Sequence, residues 1–439
     1  MPANGMNEDD SGDARSPRPW FILPVIVTSQ FAGTALWFAG NAVLPDLVQE
    51  WKSLDKSSLG YLTSSVQLGF IAGTLVFALL NIADRFLPTR VFCACAISGA
   101  ACNAILPACR NTESVAGLLV VRLATGFSLA GIYPVGMKVA ADWFQAGLGK
   151  ALGWLVGALA VGSAFPFLLR QIPQSWPALI WETSAIATLG GLVVGFLIPT
   201  GPYRKAGAQT LDPSIVCALF RDRMFASAAM AYWGHMWELY AFWTWCPVVW
   251  GAYLDERNLG DAPISPSLVT FLVIAIGGLG CVLGGYLSLR YGSAKVAFGC
   301  LAVSGSLCLL SPALFLAPLG VMITAYLVWG MAVVGDSPQF STLVAQTAPD
   351  ESKGTALTIV NCVGFAITIG SIQLLAIRMP PQFLFLLLAP GPILGLMSLW
   401  RFHIRALPSE TNKSTTADRS DTNREIEQEE ISPMQSDGA

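Results

Sequence analysis

The side chains able to do chemistry in this chain of 439 residues are few and set in apolar surroundings. Residues 231–250 read AYWGHMWELYAFWTWCPVVW, with five of the chain's 14 tryptophans, one of its two histidines, His235, and Glu238 about one helical turn later. Arg122, Glu182 and Asp336 also fall inside long apolar runs. An ionisable side chain at membrane depth costs roughly 2.5–3.5 kcal/mol on insertion scales, so a functional role is the first expectation for each. A carboxylate in a poorly solvated cavity holds a proton more readily than one in water, and a neighbouring histidine can relay it. Glu238 with His235 is therefore the first candidate for a proton-coupling site, and Asp336 the second. Glu182 lies near the start of its run and reads equally as interfacial.

The elements that must position these groups follow from composition. The chain is 54% hydrophobic and 12% charged, against about a quarter charged in soluble domains, so most of it is dissolved in lipid. A bilayer core takes about 20 apolar residues per helix, and only helices pair every backbone group within their own segment. Twelve such segments are expected, at about 20–45, 59–83, 88–108, 115–137, 147–170 and 176–199, then 224–250, 266–289, 294–313, 316–337, 354–377 and 382–402. The expected architecture is an all-α membrane protein of twelve transmembrane helices in two six-helix repeats. Residues 20–199 and 224–402 form the two bundles and 200–223 a linker. Residues 1–19 and 403–439 are expected to be disordered cytoplasmic tails, the second rich in Ser, Thr, Glu and Asp. The N-terminus lacks a basic region leading into a short apolar core, so a cleaved signal is not expected.

Most of the 25 lysines and arginines fall on one side of this arrangement. Only Lys52, Lys56, Arg110, Arg170, Arg257 and Arg378 fall on the other, which places both termini in the cytoplasm, most simply of the cell (inner) membrane. No basic patch suits nucleic acid. Ten scattered cysteines read as small packing residues, and two histidines are too few for a zinc or haem site, so no metal or cofactor is expected. The expected partners are a small-molecule substrate, protons and the lipid bilayer, with the chain a monomer.

Helical spacing sorts the polar residues into stripes. Gln30, Thr34, Trp37 and Asn41 share a face of the first segment, and Arg122, Gly126 and Tyr133 of the fourth. His235, Glu238, Phe242 and Trp245 share one of the seventh, and Trp329, Val333 and Asp336 of the tenth. The competing reading for each is polar glue between packed helices. Trp37, Trp245 and Trp329 on the stripes suit a flat or cationic ligand. Trp243 and Trp250 read as packing or an interfacial belt, with Trp243 turned away. Gly149, Gly153 and Gly157 recur at four-residue spacing, which allows close helix approach.

The two halves echo each other. Arg85 and Arg290, and Arg90 and Lys295, stand at one offset, and Pro134 and Pro338 at nearly the same one. Leu80-Asn-Ile-Ala-Asp-Arg-Phe-Leu87 resembles the Gly-x-Leu-Ala-Asp-Arg-x-Gly motif of the major facilitator superfamily. Asp84 and Arg85 match it, and leucine replaces both glycines. The second-half copy keeps Gly285, Arg290 and Gly292, with Leu289 for the aspartate, and Arg122 and Gly126 match the family's Arg-x-x-x-Gly.

The resemblance covers roughly residues 20–402. It implies alternating access, with segments one, four, seven and ten lining a central cavity and with Asp84, Arg85, Arg90, Arg290 and Lys295 as a cytoplasmic gate. Positive-inside topology alone would also account for those charges. The glycine-rich fifth and eleventh segments and GIYPVGMKVAADWF are distantly similar to the nitrate/nitrite-porter branch and its uncharacterised bacterial relatives. That branch binds its anion through arginines in segments two and eight, which are missing here. The reading is a secondary transporter of a small organic solute, proton-coupled, and not an enzyme. A hydrophobic or cationic drug exporter, or a non-transporting sensor or scaffold, are the alternatives.

Overall fold

Hydrocarbon offers no partner to a backbone N–H or C=O, so the long apolar runs satisfy those groups internally as helices. The computed structural model describes residues 19–55, 57–144, 147–204, 215–259 and 264–404. Residues 1–18 and 405–439 of the tails and 205–214 of the linker lie outside the described residues. In chain order the α-helices are α1 (Ile22–Thr34), α2 (Ala39–Glu50), α3 (Ser58–Leu79), α4 (Ile82–Arg85), α5 (Pro88–Ile105), α6 (Val115–Leu129), α7 (Tyr133–Trp143), α8 (Leu148–Leu169) and α9 (Trp176–Leu197). They continue as α10 (Val216–Arg221), α11 (Arg223–Glu256), α12 (Pro266–Tyr291), α13 (Ser293–Leu314), α14 (Leu319–Gly335), α15 (Ser337–Thr347), α16 (Lys353–Leu374), α17 (Pro381–Leu384) and α18 (Pro390–Ile404). The described residues up to Leu399 form one compact unit.

Among the described residues, 11 helical segments are long and apolar enough to cross a membrane. The chain is thus an all-α, multi-pass membrane protein. The expected seventh segment is absent from the 11. Its helix, α11, is 34 residues long, ample for a bilayer, but its Trp, Tyr, His and Glu side chains carry polar edges that lower its hydropathy.

Three of the segments, Ile22–Glu50, Val115–Trp143 and Leu319–Thr347, are each 29 residues long, and each contains a break. The helix stops at residues 35–38 between α1 and α2, at 130–132 between α6 and α7, and at Asp336 between α14 and α15. At the last two, proline explains the restart. Pro134 and Pro338 occupy the first turns of α7 and α15, where the missing N–H would have no intrahelical partner anyway. Helix α11 continues unbroken past Pro247, and its start is capped by the Asp222 carboxylate, which accepts from the Met224 and Phe225 backbone N–H groups at 2.8 and 2.7 Å.

Small residues set how closely the helices pack. A Cβ at Gly126 would collide with the backbone of Val66 on α3, so the glycine of the Arg-x-x-x-Gly motif is a packing requirement. Of the glycines spaced by four on α8, Gly157 makes the crossing: a Cβ there would lie 3.0 Å from the Gly278 carbonyl oxygen on α12. A Cβ at Gly149 would meet nothing within 4 Å.

Candidate functional site

Six side chains on one face of α11, namely Tyr232, His235, Met236, Leu239, Tyr240 and Trp243, recur at intervals of three or four residues and form one wall of an internal cavity. Tyr133 on α7, Val156 and Leu159 on α8, Val334 on α14, Ser337 and Ser341 on α15, and Asn361 and Phe365 on α16 complete it. The free volume is about 40 Å³, room for a few water molecules and not for an organic solute.

An aromatic cluster adjoins it. Trp37 stacks on Tyr240 with ring centroids 5.6 Å apart, and both rings approach Phe365, at 5.8 and 5.2 Å. Phe70 joins from α3, 4.5 Å from Phe365. Trp37 and Phe70 come from the first half of the chain, Tyr240 and Phe365 from the second, so the cluster ties the halves together.

His235 and Asp336 meet at the cavity wall. His235 Nδ1 lies 3.0 Å from Asp336 Oδ1, with side-chain exposures of 1% and 0%. Among the described residues, His235 is the one side chain that reaches the Asp336 carboxylate. His235 Nε2 is 3.0 Å from the Ser337 hydroxyl. The α14–α15 break places Asp336 and Ser337 side by side at this point.

Glu238 is separate from that pair. It faces away from the cavity wall, toward α13 and α14, and is fully buried. Its Oε1 accepts from Trp329 Nε1 at 2.6 Å and from Cys308 Sγ at 3.3 Å, and its Oε2 from the Ser304 hydroxyl at 2.9 Å. Trp329 is held in turn by stacking on Phe242, centroids 4.4 Å apart. The expected pairing of His235 with Glu238 therefore does not form: His235 is joined to Asp336, and Glu238 sits in a cage of three donors.

Arg122 is also fully buried, outside the cavity lining. Its guanidinium donates to the carbonyl of Leu36 at 3.2 Å, to that of Trp37, and to Asn103 Oδ1 at 3.2 Å. Those two carbonyls are in the α1–α2 break, where the helical ladder leaves them free. Arg122 thus closes the break and fixes Trp37 beneath the aromatic cluster.

Of the expected cavity residues, Tyr133 and His235 line the cavity and Asp336 stands directly behind His235. Gln30 and Thr34 are buried, with the Thr34 hydroxyl donating to the Gln30 carbonyl at 2.8 Å. Asn41 donates to Thr63 Oγ1 at 2.6 Å. The Trp245 indole donates to the Ile372 carbonyl on α16 at 3.1 Å, and Trp329 belongs to the Glu238 cage. The polar stripe thus points about a third of a turn from the true cavity face of α11. Trp243, expected to turn away, lines the cavity with its indole N–H unpartnered. Trp250 is buried against Tyr253 and Tyr326 and is no interfacial belt. Tyr232, Tyr240, Asn361 and Phe365 were missed; on α11 the three-and-four recurrence of large side chains was their signal. Glu182 is exposed and accepts from Gln174 at 3.1 Å.

Among the gate candidates, Asp84 forms an ion pair with Lys138 on α7. Arg85, Arg90, Arg290 and Lys295 are exposed, Arg290 with its guanidinium over the Tyr291 ring. Near the same end, Lys150 on α8 lies 5.4 Å from the centre of the Tyr286 ring on α12. Among the described residues no cluster of three His, Cys, Asp or Glu could hold a metal.

A bundle of broken apolar helices, with buried charge and aromatic walls at its centre, defines a multi-pass membrane carrier. The chain belongs to the Major Facilitator Superfamily, whose model matches residues 26–372. It is therefore a secondary transporter by family, and not an enzyme. A benzoate transport protein from Acinetobacter baylyi is 22% identical over 449 residues, covering 89% of this chain and 91% of that protein. The structure resembles the xylose transporter XylE from E. coli in a partially occluded inward open conformation. There the TM-score is 0.66 at 12% identity, over 87% of this chain and 97% of that one. It also resembles the nucleoside transporter NupG, with TM-score 0.62 at 15% identity, over 87% and 99% of the two chains. None of these relatives points to the nitrate/nitrite-porter branch.

Proposed function

We propose that the protein is a proton-coupled carrier of a small organic solute, working by alternating access around the aromatic cavity. The observation that carries this reading is the His235–Asp336 pair. It is a buried ionisable pair at the cavity wall, positioned by a helix break, and its carboxylate is left short of donors. Such a group is retained against its burial cost when it serves transport. In this reading α11 is the seventh of twelve spans. Residues 20–199 and 224–402 are the two rocking halves, joined by residues 200–223, and the chain sits as a monomer in the cell (inner) membrane with both termini cytoplasmic. Asp336, rather than Glu238, takes the coupling proton, because Asp336 stands beside the cavity and Glu238 is caged. The Asp84–Lys138 ion pair, Arg85, Arg90, Arg290 and Lys295 form the inner gate, helped by Lys150 and Tyr286.

The test is uptake into proteoliposomes under an imposed pH step, with solutes first chosen by ligand-induced stabilisation of the purified protein. Accumulation of a stabilising solute that collapses when the pH gradient is discharged is the expected result. Binding without flux would instead favour a sensor or scaffold.

A further inference from the structure

We propose that Gln373 is a latch that closes the outer end of the bundle, and that its release parts the two halves there and uncovers a polar chamber made of Asn41, Gln67 and the Trp37 indole N–H. The outer end is the one where α3 begins and α16 finishes. The inference goes beyond the carrier reading and uses neither His235 nor the identity of the solute.

Three observations carry it. The first is the kind of bond that joins the halves at this end. Gln373, in the last turn of α16, donates through Nε2 to the Ser64 hydroxyl on α3 at 2.8 Å. The Ser265 hydroxyl, just before α12, donates to Gln171 Oε1, just after α8, at 2.9 Å. The Thr244 hydroxyl on α11 lies 3.4 Å from that of Thr63 on α3. All three contacts are uncharged. The ion pairs of Arg170 with Asp46, and of Arg110 with Glu50 at 3.1 Å, are at the same end but stay within the first half. A neutral hydrogen bond contributes little net stability, since water replaces it once it breaks, so this closure can part at small cost.

The second is how the latch is held. The Trp245 indole donates to the Ile372 carbonyl at 3.1 Å, which fixes the last turn of α16 against α11 and sets the neighbouring Gln373 across the seam. Gly60, one turn before Ser64, leaves it room: a Cβ there would lie 3.4 Å from Gln373 Nε2.

The third is what the latch covers. Thr63, Gln67 and Phe70 recur on one face of α3. Thr63 and Phe70 both meet the second half, at Thr244 and at Phe365. Gln67 stands between them, fully buried. Among the described residues neither polar side-chain atom of Gln67 has a hydrogen-bond partner, nor has Asn41 Oδ1 or Trp37 Nε1. Buried polar atoms in a permanent contact are nearly always paired. Four left unpaired along one seam mark a contact that opens, with water as their partner in the open form.

Hydrogen–deuterium exchange of the purified full chain, read by mass spectrometry, tests this without a solute. In the unmodified protein, residues 58–67 and 366–374 are expected to exchange at least about threefold faster than residues 99–105 and 179–187. Those two stretches meet at the same end within one half, where Asn103 donates to the Ser184 hydroxyl at 3.0 Å. Gln373→Ala and Ser64→Ala should each raise exchange at 58–67 and 366–374 by about a further threefold, with the double variant adding nothing. Residues 74–79 and 353–359, at the inner ends of the same helices, should stay unchanged. Glu50→Gln, which breaks an ion pair at the outer end within one half, should leave the seam as it was. Equal exchange in the two regions of the unmodified protein overturns the inference, and that comparison needs no variant to fold. An unchanged seam in Gln373→Ala, additivity in the double variant, a rise at both ends alike, or the same opening in Glu50→Gln overturns it as well. Should the seam open as expected in a protein that moves no solute, the latch stands and the carrier reading falls. Should solute flux be found with a seam that never opens, the carrier reading stands and the latch falls.

Discussion

Glu238 accepts from an indole, a hydroxyl and a thiol, whereas Asp336, equally buried, has the His235 imidazole as its one side-chain partner among the described residues. The two carboxylates share one half of the chain, and the difference lies in what surrounds them. Three donors aimed at Glu238 form a finished internal contact between α11, α13 and α14. The surroundings of Asp336 are unfinished, and they open toward the cavity through His235. Full satisfaction marks a structural carboxylate, and incomplete satisfaction beside a cavity marks one that changes partners. Arg122 belongs with Glu238 in this respect, since its guanidinium is consumed by the Leu36 and Trp37 carbonyls and Asn103.

The largest effect that would sharpen this contrast is on coupling. Asp336→Asn is expected to reduce pH-driven accumulation by about a hundredfold while leaving solute exchange within a few fold, a separation read from paired uptake and counterflow assays. Next is Arg122→Ala, which strands the carbonyls of the α1–α2 break and is expected to cost about 2–5 kcal/mol, seen as a fall in the thermal unfolding midpoint of the purified protein. Trp329→Phe removes one donor from the Glu238 cage and is expected to cost about 1.5–3 kcal/mol with coupling intact. Loss of coupling without loss of stability would break the distinction between the two carboxylates. Trp243→Phe deletes the unpartnered N–H along with the five-membered ring, so solute affinity is expected to fall by about fivefold to tenfold, with a loss of about 1–3 kcal/mol in thermal stability from the space left behind.

The smallest effect concerns Asp55, outside the membrane segments. The Ser57 hydroxyl, at 2.5 Å, is the main cause that holds its carboxyl below the ordinary aspartate range, with help from the Ser58 hydroxyl and backbone. A depressed carboxyl contributes above its unfolded value and loses that contribution as pH falls through the folded one. Ser57→Ala should therefore lower thermal stability slightly from pH 5 to 8, and the difference from the unmodified protein should vanish in strong acid.

The membrane-crossing runs were legible beforehand because apolar length is a local property. The breaks at residues 130–132 and at Asp336 were not among the expectations, although Pro134 and Pro338 stand at the restarts. The break at residues 35–38 was not legible, because the groups that satisfy it belong to Arg122, more than 80 positions away. The face of α11 was misjudged for a related reason. A polar stripe through His235, Glu238 and Trp245 marks where polar partners are, and Glu238 and Trp245 find theirs in neighbouring helices. The large side chains at 232, 236, 240 and 243 mark the cavity. Cys308 read as a small packing residue and Ser304 carried no expectation, and only their position opposite Glu238 makes them donors. Lys138 counted only toward topology until it met Asp84.

The most direct test of the central claim compares Asp336→Asn with Glu238→Gln in one proteoliposome assay that records proton flux and solute uptake together. Gln fits the Glu238 cage: its carbonyl oxygen keeps the Trp329 and Cys308 donors, and its NH₂ donates to Ser304. The account predicts that Glu238→Gln retains proton-driven accumulation and that Asp336→Asn loses it while still exchanging solute. Accumulation lost in Glu238→Gln and kept, with normal proton stoichiometry, in Asp336→Asn would contradict it.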